Sequence, residues 1–191
     1  KCSLDFETPF QMMVAVMLSA QCTDERVNKI TPALFEKYPT PEKMLEAGIE
    51  NISVMVKSCG FYRNKSKNIW NTSKLLVEEY NSVLPENINE LEKFPGVGRK
   101  SANVIMLEAF GLPQGIAVDT HAKRISNRLG LSKENDPLKI EIDLLKVIPK
   151  KYYKDVNHLF IWHGRNIGRR GGHCPRAVPP LRIIDKKLIL W

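Results

Sequence analysis

Between residues 10 and 22 apolar side chains fall on nearly every face of a helical wheel, so the segment predicts a helix buried on all sides. After it the pattern changes to stripes. Asp24 is placed to cap a helix over residues 24–38 with Val27, Ile30, Leu34 and Phe35 on one face. Thr40-Pro41 starts a short helix that stops near Gly48, and a second short one follows over 49–57. Residues 65–80 form a longer amphipathic helix with Ile69, Thr72, Leu76 and Val77 facing inward. The same period predicts helices over 89–92, 98–110, 119–129, 137–148 and 152–167. No segment alternates with the period of two that a half-buried strand requires, so the fold class is all-α. From Gly168 the pattern breaks into Gly171-Gly172, Pro175 and Pro179-Pro180, with no helical period before Arg182.

Charge changes this picture at one end only. The net charge is +8, from 29 basic and 21 acidic residues. Residues 1–148 hold 19 of each, so the excess lies in 149–191, with 10 basic against 2 acidic. Such a tail favours a polyanionic partner, nucleic acid first and an anionic membrane second. The longest apolar run, residues 12–18, is far short of the roughly 20 residues a spanning helix needs, and no signal-peptide pattern is seen. Cys2, Cys22, Cys59 and Cys174 are scattered without a Cys-x-x-Cys pair, which argues for a reducing, intracellular setting: cytoplasm or nucleoid in a prokaryote.

The candidate chemistry lies in residues 91–121. Phe94-Pro95-Gly96-Val97-Gly98 turns between two helices, and its glycines permit a geometry that aims successive amides outward. With the positive end of the next helix they form a cradle for an anion. An ordinary helix corner would carry the same two glycines. Lys100 follows the turn, where an amine could attack a sugar carbon or simply pair with a phosphate. Asp119 is a good N-cap for the helix beginning Thr120-His121, and a carboxylate so held could also stabilise a developing positive charge.

Residues 91–106 resemble the helix–hairpin–helix motif, and Val118-Asp119-Thr120-His121 resembles the loop and aspartate of the DNA glycosylase superfamily that carries it. The chain is most similar to the endonuclease III family. Pro9-Phe10, Leu18-Ser19-Ala20-Gln21-Cys22-Thr23-Asp24, Val27-Asn28-Lys29, Gly60-Phe61-Tyr62 and His163-Gly164-Arg165 extend the match over about residues 5–166. The resemblance implies a six-helix domain over 2–112, a second helical domain over 113–191, and a cleft between them that holds the active site. It also implies one more helix before residue 1. The implied activity is a bifunctional glycosylase and abasic-site lyase acting on duplex DNA as a monomer, with oxidised pyrimidines as substrates. Lys100 would be the nucleophile and Asp119 the catalytic carboxylate. Gln21 would fill the gap left by a flipped base, and Phe61 would wedge the opposite strand, although the residues alone also allow Gln21 as a helix C-cap and Phe61 as a core residue. Gly96, Val97, Gly98 and Arg99 would hold a phosphate, with Lys123 and Arg165 as further contacts and His121 lining the pocket.

The tail departs from the family pattern. Family members carry four cysteines, spaced Cys-x6-Cys-x2-Cys-x5-Cys after His-Gly-Arg, around a 4Fe-4S cluster. Here Gly168 stands at the first position and only Cys174 remains in the region. One thiolate cannot hold a cluster that takes four. The expectation is therefore no cluster and no metal, with a tail that either packs through Ile183, Ile184, Leu188, Leu190 and Trp191 or is an altered C-terminus. Two other readings stay open from the residues: a non-catalytic helix–hairpin–helix DNA-binding protein, and a monofunctional mismatch or adenine glycosylase. Lys100 speaks against the second, and Lys100 together with Asp119 against the first.

Overall fold

The computed structural model describes residues 3–166, 182–184 and 187–189, with side chains left out at 157 and from 161 onward. It divides into two compact units, Lys1–Leu112 and Pro113–Trp191.

The first unit is built around α1 (Pro9–Ser19). Thr8 accepts a hydrogen bond from the Gln11 amide at its start, Pro9 occupies the first helical position, and all of residues 10–18 are buried. The all-round apolar pattern thus has the expected outcome. α1 packs against α2 (Asp24–Lys37), α4 (Tyr62–Glu79) and α6 (Arg99–Phe110). The cap of α2 is Thr23, which accepts from the Arg26 amide, so Asp24 is the first helical residue rather than the cap. α3 (Pro41–Met55) is two helical segments joined at Gly48, whose φ of 73° and ψ of 162° break the helix where the sequence places a stop. α4 begins at Tyr62, before its predicted start at Lys65, because Phe61 precedes it in a left-handed conformation without a side-chain cap. Nothing in the sequence signals such a start. α5 (Ile88–Leu91) is a single turn capped by Asn87, and α6 stops at Gly111, with φ of 66°. Met12, Met13, Leu18, Leu34, Met44, Ile52, Ile69, Leu76, Leu91 and Ile105 are fully buried in one core.

The second unit comprises α7 (Thr120–Arg128), α8 (Pro137–Val147), a 3-10 turn (Lys150–Tyr152) and α9 (Tyr153–Asn166). α7 packs on both α8 and α9, and Ile116, Ile125, Ile140, Leu144, Val156 and Phe160 form a separate core. Two strands correct the expectation of a helical period from Arg182. β1 (Arg182–Ile184) and β2 (Lys187–Ile189) pair antiparallel with Ile183 opposite Leu188. Ile183 and Ile184 in β1 and Ile189 in β2 are β-branched, which suits an extended backbone. The chain is otherwise helical among the described residues. The expectations for Gly168, Cys174, Leu190 and Trp191, and for the tail's packing, lie outside the described residues. No helix among the described residues is long and apolar enough to cross a membrane.

Candidate functional site

The glycine turn is pegged into the first unit by the apolar residues on either side of its glycines. Leu91, Phe94 and Val97 are buried, and the Phe94 ring lies 5.1 Å from that of Tyr80. The Val97 amide donates to the Phe94 carbonyl at 3.0 Å. Val97 thus has its side chain and its N–H both engaged within the fold. α4 supports the turn from below: Thr72 Oγ1 donates to the Pro95 carbonyl, and the Asn68 side chain lies against Gly96.

The two glycines differ in what they do. Gly96 has φ of 82°, and a Cβ there would come within 2.7 Å of Asn68 Nδ2. Gly98 has φ of −95°, and a Cβ there would meet nothing within 4 Å. The fold therefore requires glycine at 96 but not at 98. Gly98 is also the N-cap of α6 and supplies no side-chain oxygen to its first amides, which suits a site for an external anion. Gly96→Ala should lower stability by about 1–2 kcal/mol through its left-handed backbone alone, with the Asn68 clash in addition. Gly98→Ala should leave the melting midpoint almost unchanged and weaken DNA binding. Melting curves and a DNA-binding titration on the two variants check the contrast, and equal loss of stability in both would refute it.

Lys100 occupies the second position of α6, at the positive end of the helix, and is exposed. Its neighbour Arg99 reaches back to Glu92, Nη1 to Oε2 at 3.2 Å, closing the base of the turn with an ion pair.

Gln21 and Phe61, far apart in sequence, meet at the other end of α4. Both are exposed, Phe61 at 66%, and both have left-handed backbones, with φ of 53° and 57°. Such values are costly for bulky residues. The exposure of Phe61 excludes the alternative that it is a core residue. A Cβ on Gly60 would lie 3.7 Å from the Gln21 carbonyl, so the two loops touch. Cys22 and Cys59 are free thiols that neighbour one another at this junction. Burial, followed by that contact, pushes the Cys59 thiol up to about 11. The folded state holds this proton more tightly than the unfolded chain does, so the contribution is complete below the ordinary value of 9.0 and is lost as pH rises towards 11. Urea midpoints should therefore fall more steeply over that window for the native chain than for Cys59→Ala. Parallel curves would refute the assignment.

In the second unit Asp119 caps α7, and one oxygen, Oδ1, accepts from the amides of His121 at 2.9 Å and Ala122 at 2.8 Å. Neither of these bonds uses Oδ2. His121 Nδ1 lies 3.2 Å from the Arg124 guanidinium, so its ring is held against its own helix. Lys123 is half-buried, and its ammonium donates to the Asn135 carbonyl at 2.8 Å. Arg165 is on α9, with its side chain outside the described residues. Sequence reasoning did not single out Lys65 or Asn68, which support the loops and the turn from the same helix. Among the described residues no three His, Cys, Asp or Glu side chains gather as a metal site.

Residues 14–150 match the HhH-GPD superfamily of base excision DNA repair proteins. The chain belongs to that superfamily. Within it the chain is 49% identical to endonuclease III of Synechocystis sp. over 87% of this chain and 76% of that protein. Endonuclease III of Bacillus subtilis is 46% identical over 94% of this chain and 79% of its own length. Among solved structures, a non-covalent endonuclease III–DNA complex superposes with a TM-score of 0.83 at 43% identity, covering 90% of this chain and 80% of that one. A trapped endonuclease III–DNA covalent intermediate gives a TM-score of 0.84 at 43% identity, covering 90% and 81%. The matched residues 14–150 include the hairpin, Lys100 and Asp119.

Proposed function

We propose that this chain is a bifunctional DNA glycosylase and abasic-site lyase that removes oxidised pyrimidines from duplex DNA inside the cell, acting as a monomer. The observation that carries the reading is a lysine on the exit helix of an uncapped glycine turn, in a chain 43% identical to an endonuclease III trapped covalently on DNA. Lys100 Nζ attacks C1′ of the damaged nucleotide, and the C1′–base bond breaks with the base leaving as its protonated form. Opening of the sugar ring gives a C1′=Nζ imine. Loss of a C2′ proton then expels the 3′ phosphate by β-elimination, and water hydrolyses the imine to regenerate Lys100. Asp119, fixed through Oδ1, offers Oδ2 to the cationic sugar or to the proton that must leave the amine. Gly98 and the first amides of α6 hold a phosphate, with Arg99 beside them, while Gln21 fills the space vacated by the base and Phe61 wedges the opposite strand.

The reading includes no iron–sulfur cluster. The whole sequence has four cysteines, and two of these, Cys22 and Cys59, are neighbouring free thiols in the first unit. The donors that a 4Fe-4S cluster requires are not available together in the tail, so no step passes through such a group. The test of the whole reading is borohydride reduction in the presence of DNA with a single abasic site. Hydride adds to the imine carbon and fixes the protein to C1′ through a secondary amine. A covalent adduct whose tryptic peptide contains Lys100 supports the proposal, and no adduct from folded protein defeats it.

A further inference from the structure

α4 opens with the polar run Arg63-Asn64-Lys65-Ser66-Lys67, in which Lys65 is unlike the lysine and arginine on either side. Lys65 is buried, whereas Arg63 and Lys67 are exposed. Its ammonium donates to the Leu18 carbonyl at 2.8 Å, across 47 positions of sequence. Leu18 is in the last turn of α1, three residues before Gln21, where carbonyls lack helical partners and the dipole is negative. The backbone amide of the same Lys65 donates to the Phe61 carbonyl at 3.1 Å. One residue therefore bonds the support of Gln21 through its side chain and Phe61 itself through its main chain. The Gly60–Gln21 approach and the Cys22–Cys59 contact close the same junction from the other side.

We propose that Lys65 is a positioning residue that holds the Gln21 and Phe61 loops together as a single device for opening the duplex. Burying an ammonium is costly unless it is well bonded, so a lysine here needs a return that an apolar residue would not give. A carbonyl at the end of α1 can be met only by a donor, and a charged donor makes the stronger bond. With that bond in place the left-handed turn at Gln21 is held from below, and it cannot slide relative to Phe61. Without it the two side chains would still be present, but they would no longer enter the stack at a fixed separation.

The inference rests on the roles given to Gln21 and Phe61 above, and the experiment separates the two. Lys65→Met keeps the length and apolar stem but removes the donor, and Lys65→Arg retains a charged donor. Three quantities are compared with the native chain: excision of a base-paired oxidised pyrimidine, borohydride trapping on a pre-formed abasic site, and fluorescence of 2-aminopurine next to the lesion as a report of unstacking. Lys65→Met should lose about tenfold or more in excision, together with the fluorescence change, while trapping on the abasic site stays within a few fold. Lys65→Arg should recover part of both losses. Equal loss of excision and trapping in Lys65→Met would make Lys65 a support of the whole fold and overturn the proposal, as would unchanged excision. Lys65→Leu, which also lacks a donor, provides the same comparison if the methionine variant does not fold, and unfolding of both also overturns it. Gln21→Ala and Phe61→Ala are the control for the underlying reading: if they leave the fluorescence change intact, the reading of those loops fails, whatever Lys65 does.

Discussion

Lys100→Ala leaves no covalent adduct with abasic-site DNA after borohydride treatment and lowers base excision by about 10⁴–10⁶-fold, the scale on which removal of a nucleophile acts. The expectation follows from what the rest of the molecule can still do. Lys100 is exposed at the second position of α6, so its removal costs the fold little, and alanine is the best residue for a helix. The turn at Gly98 is untouched, and so are the Gln21 and Phe61 loops. DNA affinity should accordingly fall only by the loss of one cation. A protein that binds and opens the duplex but forms no imine isolates the nucleophile from the binding surface. If Lys100→Ala instead kept an adduct, another amine would be the nucleophile, and if it lost DNA binding in proportion, Lys100 would be a phosphate contact. Lys100→Arg adds a check, because a guanidinium retains the charge and cannot form the imine under these conditions. It should bind like the native chain and be as inactive as the alanine variant.

The helices were legible because the signals that define them are local. All-round apolar character marked α1, Thr40-Pro41 marked the start of α3, and Asp119 marked the start of α7. The hairpin was legible for the same reason, since the demand for glycine at 96 arises from the backbone of that residue. What the sequence did not disclose depends on partners distant in the chain. Lys65 lies in a polar run that reads as a solvated face, and its acceptor is the carbonyl of Leu18. The engagement of the Val97 amide by Phe94 is also hidden, because a Gly-x-Gly pattern does not tell which N–H groups are already bonded. The early start of α4 at Tyr62 was missed because Phe61 adopts an unusual backbone with no capping side chain to announce it. The missed features thus cluster at the glycine turn and at the Gln21 and Phe61 loops, where local preference and final structure disagree.

Asp119→Asn should retain the fold and lose about 10²–10⁴-fold in base excision, the range associated with a positioned acid–base group. Asparagine is as good an N-cap as aspartate, and its amide oxygen can still accept from His121 and Ala122 in the place of Oδ1. The substitution therefore removes the negative charge and little else. Asp119→Ala removes the cap as well and should lower stability by about 1 kcal/mol, so the two variants separate the structural role from the chemical one. Excision and trapping should also separate. Breaking the bond to the base passes through a cationic sugar that a nearby carboxylate stabilises, whereas an abasic aldehyde is already open to attack by Lys100. Asp119→Asn should then lose more in single-turnover excision than in imine formation at a pre-formed abasic site. If both fall equally, Asp119 acts mainly in proton transfer from the amine. If neither falls while Asp119→Ala is destabilised, the residue is only the cap of α7.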